Sequence, residues 1–273
     1  MMLGGPQVRF WQEPGSPAPV SPPYTVAVKA TTPVAWWKLD TAKGAAVILT
    51  AMGHGFTATP QGQTPSKNFN LSLGATAPAP PPGLPRSCFY QPTYRTEELT
   101  RAAFTASGAL LAAFQNHDFS VAAWTWFNPS YAARAYLVLT IKQPNPTYTG
   151  AGFAAYSQTN KWRPIVFHFN GFVTGPDTWP TLQAWTFVVM TYTAATKALV
   201  TYTNGVRRGT VLLTTPINIP ATTTAWSLAG TTTKVATTYP SARVWEGGLA
   251  SVAVWDTVLS AAQITLLYTQ GLA

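Results

Sequence analysis

The run from Trp185 to Gly209, WTFVVMTYTAATKALVTYTNGVRRG, restricts the possible folds more than any other part of the chain. WTFVVMTYT is dense in aromatic and β-branched residues, which suit a pleated, half-buried surface better than a helix. ALVTYT alternates, which assigns Leu199, Thr201 and Thr203 to one face and Ala198, Val200 and Tyr202 to the other. AATK links these two runs. Asn204-Gly205 then supplies two residues that tolerate the positive φ of a type I′ turn, and VRRGTVLL returns as the partner strand. Three antiparallel strands joined by tight turns commit this segment to a sheet. Arg207 and Arg208 stand side by side in the returning strand. Neighbouring strand residues face opposite sides, so the pair is not expected to grip one ligand, unless Gly209 permits a bulge. Keeping a hairpin tip solvated is the ordinary role of such a pair. Contact with a neighbouring subunit is the sharper one.

Other short runs repeat the β character: FSVAAWTWF from Phe119, AYLVLTIK, GFAAYSQ, WRPIVFHFN, TAWSLAG and GLASVAVWD. Short strands at this spacing, divided by turn residues, predict an all-β fold, a two-sheet antiparallel jelly-roll sandwich. The last element is different. Ser260-Ala261-Ala262-Gln263 has the Ser-x-x-Gln form of a capping box. Ile264, Leu267 and Tyr268 follow on one helical face, and Gly271 is expected to stop this short C-terminal helix. Residues 1–33 carry six prolines between Pro6 and Pro23 and read as an extended arm that forms no helix. Phe10 and Trp11 are its apolar anchors, expected to dock on another chain. Residues 34–273 form the domain proper, with a long Pro-rich loop over 59–92. No internal repeat is visible.

Hydrophobic residues make up 47% of the 273, enough for a packed core and too many for a disordered chain. Charged residues are only 9%, against about 25% in ordinary domains, so the surface must be built from Thr, Ser, Ala, Pro, Gln and Asn. That suits burial in an assembly or contact with neutral partners such as sugars. The net charge is +9, yet the 17 basic residues are scattered, and the only adjacent pair is Arg207-Arg208. Nucleic-acid binders cluster theirs with interleaved aromatics, so direct nucleic-acid binding is not expected. One cysteine, Cys88, excludes a disulfide within the chain, and it makes no metal motif with His54, His117 and His168. Residues 1–30 lack a basic region followed by an apolar one, so no secretory signal is expected. No stretch of about 18 apolar residues is present, so no membrane insertion is expected.

Four segments resemble one family in the right order. VAWWKLD at 34–40 resembles the Trp-x-Leu-Asp opening strand of laminin-G-like domains of the concanavalin A-like lectin/glucanase superfamily. DFSVAAWTWF at 118–127 is similar to their Trp-bearing strand, and AWTFVVMTYTAATKALVTYTNGVRRG to their Asn-Gly hairpin. GGLASVAVWDTVLSAAQITLLYTQG at 247–271 is similar to their closing strand and helix. The resemblance spans roughly residues 34–271 and implies two packed antiparallel sheets. It leaves function open among glycan binders, protein binders, structural modules and glycosidases.

The residues narrow that choice. Glycosidases need paired carboxylates, about 5–5.5 Å apart in the retaining type. The eight acids are Glu13, Asp40, Glu97, Glu98, Asp118, Asp177, Glu246 and Asp256, and they form no Glu-x-Asp-x-Glu pattern. No nucleophile sits beside a base, so no catalytic residue is expected. A calcium rim needs several carboxylates, and Asp177 alone is a poor start, so no cofactor is expected. Sugar recognition needs an exposed aromatic with polar neighbours. Trp162, flanked by Asn160 and Arg163, and Trp179, near Asp177, are the candidates, although tryptophans more often cap a core. Trp124 and Trp185 are expected inside the core. Together these features predict a non-catalytic binding or structural protein of a bacteriophage virion, made in the host cytoplasm, in contact with other virion proteins and copies of itself, and open to host surface glycans. A stand-alone glycan-binding adhesion module and a diverged glycoside hydrolase are the alternatives.

Overall fold

The computed structural model describes residues 23–39, 59–61, 79–84, 89–91, 101–105, 108–127, 135–137, 139–141, 150–156, 161–168, 171–175, 184–219, 225–228 and 247–273. Fifteen strands and three helices are assigned among them. The largest sheet has seven strands: β1 (Ala35–Trp37), β3 (Phe89–Gln91), β5 (Phe119–Phe127), β11 (Trp185–Thr193), β12 (Ala198–Thr203), β13 (Val206–Leu212) and β15 (Gly247–Trp255). Their order is β1-β15-β5-β11-β12-β13, and β3 lies on the same edge of β15 as β1, paired with Gly247–Leu249 while β1 pairs with Val252–Val254.

The remaining eight strands hydrogen-bond as two four-stranded sheets. One is β10 (Gly171–Thr174), β9 (Lys161–His168), β8 (Gly150–Tyr156) and β6 (Ala135–Leu137). The other is β2 (Thr59–Gln61), β4 (Arg101–Thr105), β14 (Ala225–Leu228) and β7 (Leu139–Ile141). Every pairing is antiparallel. The run AYLVLTI therefore serves two sheets rather than one. β2 and β3 also put strand structure at both ends of the 59–92 segment, which the sequence presented as a loop.

Both faces of the seven-stranded sheet are buried, and strand alternation sorts them. Trp37, Phe119, Val121, Ala123, Val188, Met190, Tyr192, Leu199, Val252 and Val254 point one way, into a cluster with helix α2 (Gly108–Ala112) and residues Leu213, Ile217 and Ile219. Trp36, Ala122, Trp124, Phe187, Val189, Ala253 and Trp255 point the other way. There they meet α1 (Pro23–Ala30) and α3 (Ala261–Leu272) through Tyr24, Val28, Leu259, Ile264 and Leu267.

Helix α1 corrects the extended-arm reading at its C-terminal end. The prolines stop at Pro23, which sits at the first helical position, where its missing N–H costs nothing. Tyr24, Ala27 and Val28 then recur at i, i+3 and i+4 and bury one stripe. Thr31 closes the helix by donating from Oγ1 to the Val28 carbonyl at 2.7 Å. Residues 1–22, with Phe10 and Trp11, lie outside the described residues.

The capping box of α3 is present. The Ser260 Oγ accepts from the Gln263 N–H at 3.2 Å, and the Gln263 Oε1 accepts from the Ser260 N–H at 2.8 Å. Gly271 does not stop this helix, which runs on to Leu272. It is glycine because a Cβ there would strike the Trp124 indole. The Asn204-Gly205 turn has the expected positive φ at both positions, 52° and 77°. Asn204 also locks it to β11 by accepting from the Phe187 N–H at 2.9 Å through Oδ1.

Candidate functional site

Most of the residues singled out for sugar contact fall where the structure describes nothing. Asn160, Asp177 and Trp179 lie outside the described residues. Trp162 and Arg163 occupy consecutive positions of β9, in register with Ala155 and Ala154 of β8. Two acids are among the described residues, Asp118 and Asp256. Asp118 does structural work: its Oδ1 accepts from the Ala194 N–H at 2.7 Å and holds the 194–197 turn. No group of three or more His, Cys, Asp or Glu side chains that could hold a metal occurs among the described residues. No helix among them is long and apolar enough to cross a membrane.

An aromatic site that the sequence did not reveal lies at one end of the large sheet. β11 and β5 put Trp185 directly opposite Trp126, and β5 and β15 put Trp126 opposite Gly248. Both tryptophans are half-buried and pack on the helical-side cluster. The Trp185 indole reaches across β5 to lie over Gly248. A Cβ at residue 248 would come within 2.7 Å of Trp185 Cη2 and 3.1 Å of Trp126 Cβ, so only glycine lets the ring lie flat. The Trp185 Nε1 is buried without a hydrogen-bond partner. Trp185 is therefore not the core residue that its strand pattern predicted. It begins β11 and packs partly buried against the helical-side cluster. Trp124, by contrast, is fully buried, wedged between Phe187 at 5.2 Å and the stacked Tyr268 ring at 5.8 Å.

Backbone contacts also fix the end of α3, which packs on Trp124. The Gly83 N–H donates to the Gly271 carbonyl at 3.1 Å, and a side chain at 83 would collide with the Gln270 carbonyl. The segment 79–84 is thus stitched to the end of α3. The site combines two neighbouring indoles and a glycine beneath them, set by the register of β11, β5 and β15. Such a surface is suited to stacking a flat apolar face.

Arg207 and Arg208 form the second feature. The β12–β13 register pairs Thr201 with Gly209 and Tyr202 with Arg207, which leaves Arg208 as an extra residue. This is a bulge, and it breaks the alternation on which the opposed-face expectation rested. Both arginines are exposed, and the Arg207 Nη2 donates to the Thr210 hydroxyl.

A family model described as the concanavalin A-like lectin/glucanases superfamily, laminin-G type, matches residues 100–265. No curated protein matches the chain. Several solved structures share its fold. The binding domain of botulinum neurotoxin DC, solved with rat synaptotagmin II, superposes with a TM-score of 0.58 at 12% identity, covering 88% of this chain and 51% of that one. A botulinum neurotoxin type C structure, reported with cell entry dependent on two ganglioside molecules, gives 0.60 at 11% identity, covering 90% and 53%. A Trypanosoma rangeli sialidase bound to a difluoro sugar acid gives 0.54 at 15% identity, covering 86% and 32%. This chain spans about half the length of the toxin domains, and at these identities the likeness is one of fold. With 166 of its 273 positions under one family model and four family segments in order, the chain belongs to the concanavalin A-like lectin/glucanases superfamily.

Proposed function

We propose that this protein is a non-catalytic binding module that recognises a surface glycan, with the Trp126–Trp185 pair as the stacking platform. The observation that carries the proposal is the pairing of two partly buried indoles, Trp126 and Trp185, beside Gly248 at the end of the large sheet. Indoles that keep part of their surface in solvent can stack on a ligand. Structures of similar fold include a toxin described with gangliosides and a sialidase, which supports sugar recognition without assigning a ligand. The non-catalytic part of the reading is supported by the sequence, whose eight acids form no Glu-x-Asp-x-Glu pattern.

The test is a glycan array probed with the wild-type chain and with Trp185→Ala. Binding by the wild type and its loss in the variant, with the melting curve retained, is the expected result. A blank array removes the glycan reading. An array signal that survives Trp185→Ala keeps the reading but moves the site, and Trp162 and Trp179 become the positions to mutate. Release of reducing sugar from a bound glycan would restore the hydrolase alternative.

The virion setting is part of the same proposal. It is supported by a surface with few charges and by the Pro-rich N-terminal segment. Co-sedimentation with particles and self-association of the purified chain are its measurements. A monomer absent from particles would favour the stand-alone adhesion module.

A further inference from the structure

The hairpin edge carries an observation independent of the aromatic site. β13 is the last strand of the seven-stranded sheet and pairs only with β12 among the described strands, so no described strand takes up its outer backbone groups. Val206 and Leu212, at its two ends, are 54% and 71% exposed. Between them stand Arg207 and Arg208, both exposed, and no ion pair to either is present among the described residues. Thr210 is the one polar partner of Arg207. The two described acids, Asp118 and Asp256, lie on β5 and β15 flanks, with β11 and β12 between them and this edge.

An exposed edge with apolar ends is a template for strand addition, and several occupants have to be weighed. A second copy pairing antiparallel about Gly209 would set Arg207 opposite Val211 and Arg208 opposite Thr210, adding a second arginine pair to the same short ribbon and supplying no carboxylate to either. Like charges gathered in this way repel one another. The bulge at Arg208 also spoils the flat register that two identical edges need. The features that reject self-pairing select a partner of opposite charge, because specificity is a difference between affinities.

We infer that the β13 edge docks an extended acidic segment of another protein by strand addition. Backbone bonds to β13 supply the docking, Val206 and Leu212 the apolar contacts at either end, and Arg207 and Arg208 the carboxylate recognition at the centre. The bulge gives Arg208 a direction that regular alternation would deny it.

Fluorescence anisotropy with a labelled ten-residue peptide of alternating Thr and Glu tests this, with Thr/Gln and Thr/Lys peptides beside it. The acidic peptide should bind the wild-type chain, and Arg207→Gln with Arg208→Gln should weaken it about three- to tenfold. Both positions are exposed, so the melting temperature should not move. An acidic peptide with alternate amides N-methylated should lose binding, since strand addition needs those donors. Equal binding of the three peptides overturns the inference. Retained binding of the N-methylated acidic peptide also overturns it, leaving simple charge attraction. A sulfated oligosaccharide that binds the arginines more tightly than the peptide does would reassign the edge to an anionic sugar.

Discussion

Tyr24 shows how much of this protein is decided by single buried groups. Its ring makes edge contacts with Trp124 at 6.4 Å and with Phe187 at 6.3 Å, and it is fully buried. Its hydroxyl has no well-formed hydrogen bond, although Ser251 and Trp124 lie close enough to favour the ionised form slightly. Burial dominates and pushes the phenol well above its ordinary range. In the unfolded chain it ionises near pH 10, whereas in the fold it stays protonated. Stability is therefore complete below about pH 10 and falls above it, by up to about 1.4 kcal/mol per pH unit from this group. Tyr24→Phe should remove that part of the alkaline slope and cost about 0–1 kcal/mol or less at neutral pH, since no strong bond is lost. Urea melts of both proteins across the alkaline range would decide it. Trp124→Ala should cost about 3–5 kcal/mol. Gly271→Ala should cost about 1–3 kcal/mol because the new methyl meets Trp124, and an unchanged melting temperature would contradict that packing. The burial of Trp124 was legible from alternation within one strand. The partial burial of Trp185 was not, because its ring packs beside Gly248, which lies 63 positions away in the sequence.

Elements were legible where their signal is local. β5, β11, β12, β13, β15 and α3 follow period two or a capping box, and each lies where its residues predict. Ser260→Ala should accordingly cost about 1 kcal/mol, read from a thermal melt, as the loss of one cap. α1 was hidden behind the prolines that precede it, and the loss is instructive. Deleting residues 2–30 looked from the sequence like trimming an arm. It would in fact strip Tyr24, Ala27 and Val28 from the helical-side core. That truncation should yield an insoluble or unfolded chain. Circular dichroism of the truncated chain checks this, and a folded β-protein would overturn the packing assigned to α1. The bulge at Arg208 was signalled in the sequence only by Gly209, and the one at Ser251 was invisible to period counting. At Ser251 a φ of 52° inserts an extra residue in β15, and its Oγ accepts from the buried Trp36 Nε1 at 2.8 Å.

At the scale of the molecule, the lectin-like framework was readable because four motifs kept their order, while the candidate site was not, because it is assembled by register across β15, β5 and β11. The large sheet is sealed on both faces, and one seal joins distant parts of the chain. The Trp255 Nε1 donates to the Thr31 hydroxyl across 224 positions, and α1 lies against α3. During synthesis, α1 leaves the ribosome long before the helix that covers it. Its apolar stripe has no docking surface until β15 and α3 emerge. Contacts this remote in sequence close slowly, so refolding on a millisecond-to-second scale is expected. Pulse-labelling hydrogen exchange should find the α1 amides protected in the same late phase as those of α3. Until that phase the chain carries an open hydrophobic stripe along α1, and collapse onto the wrong surface is the risk it runs.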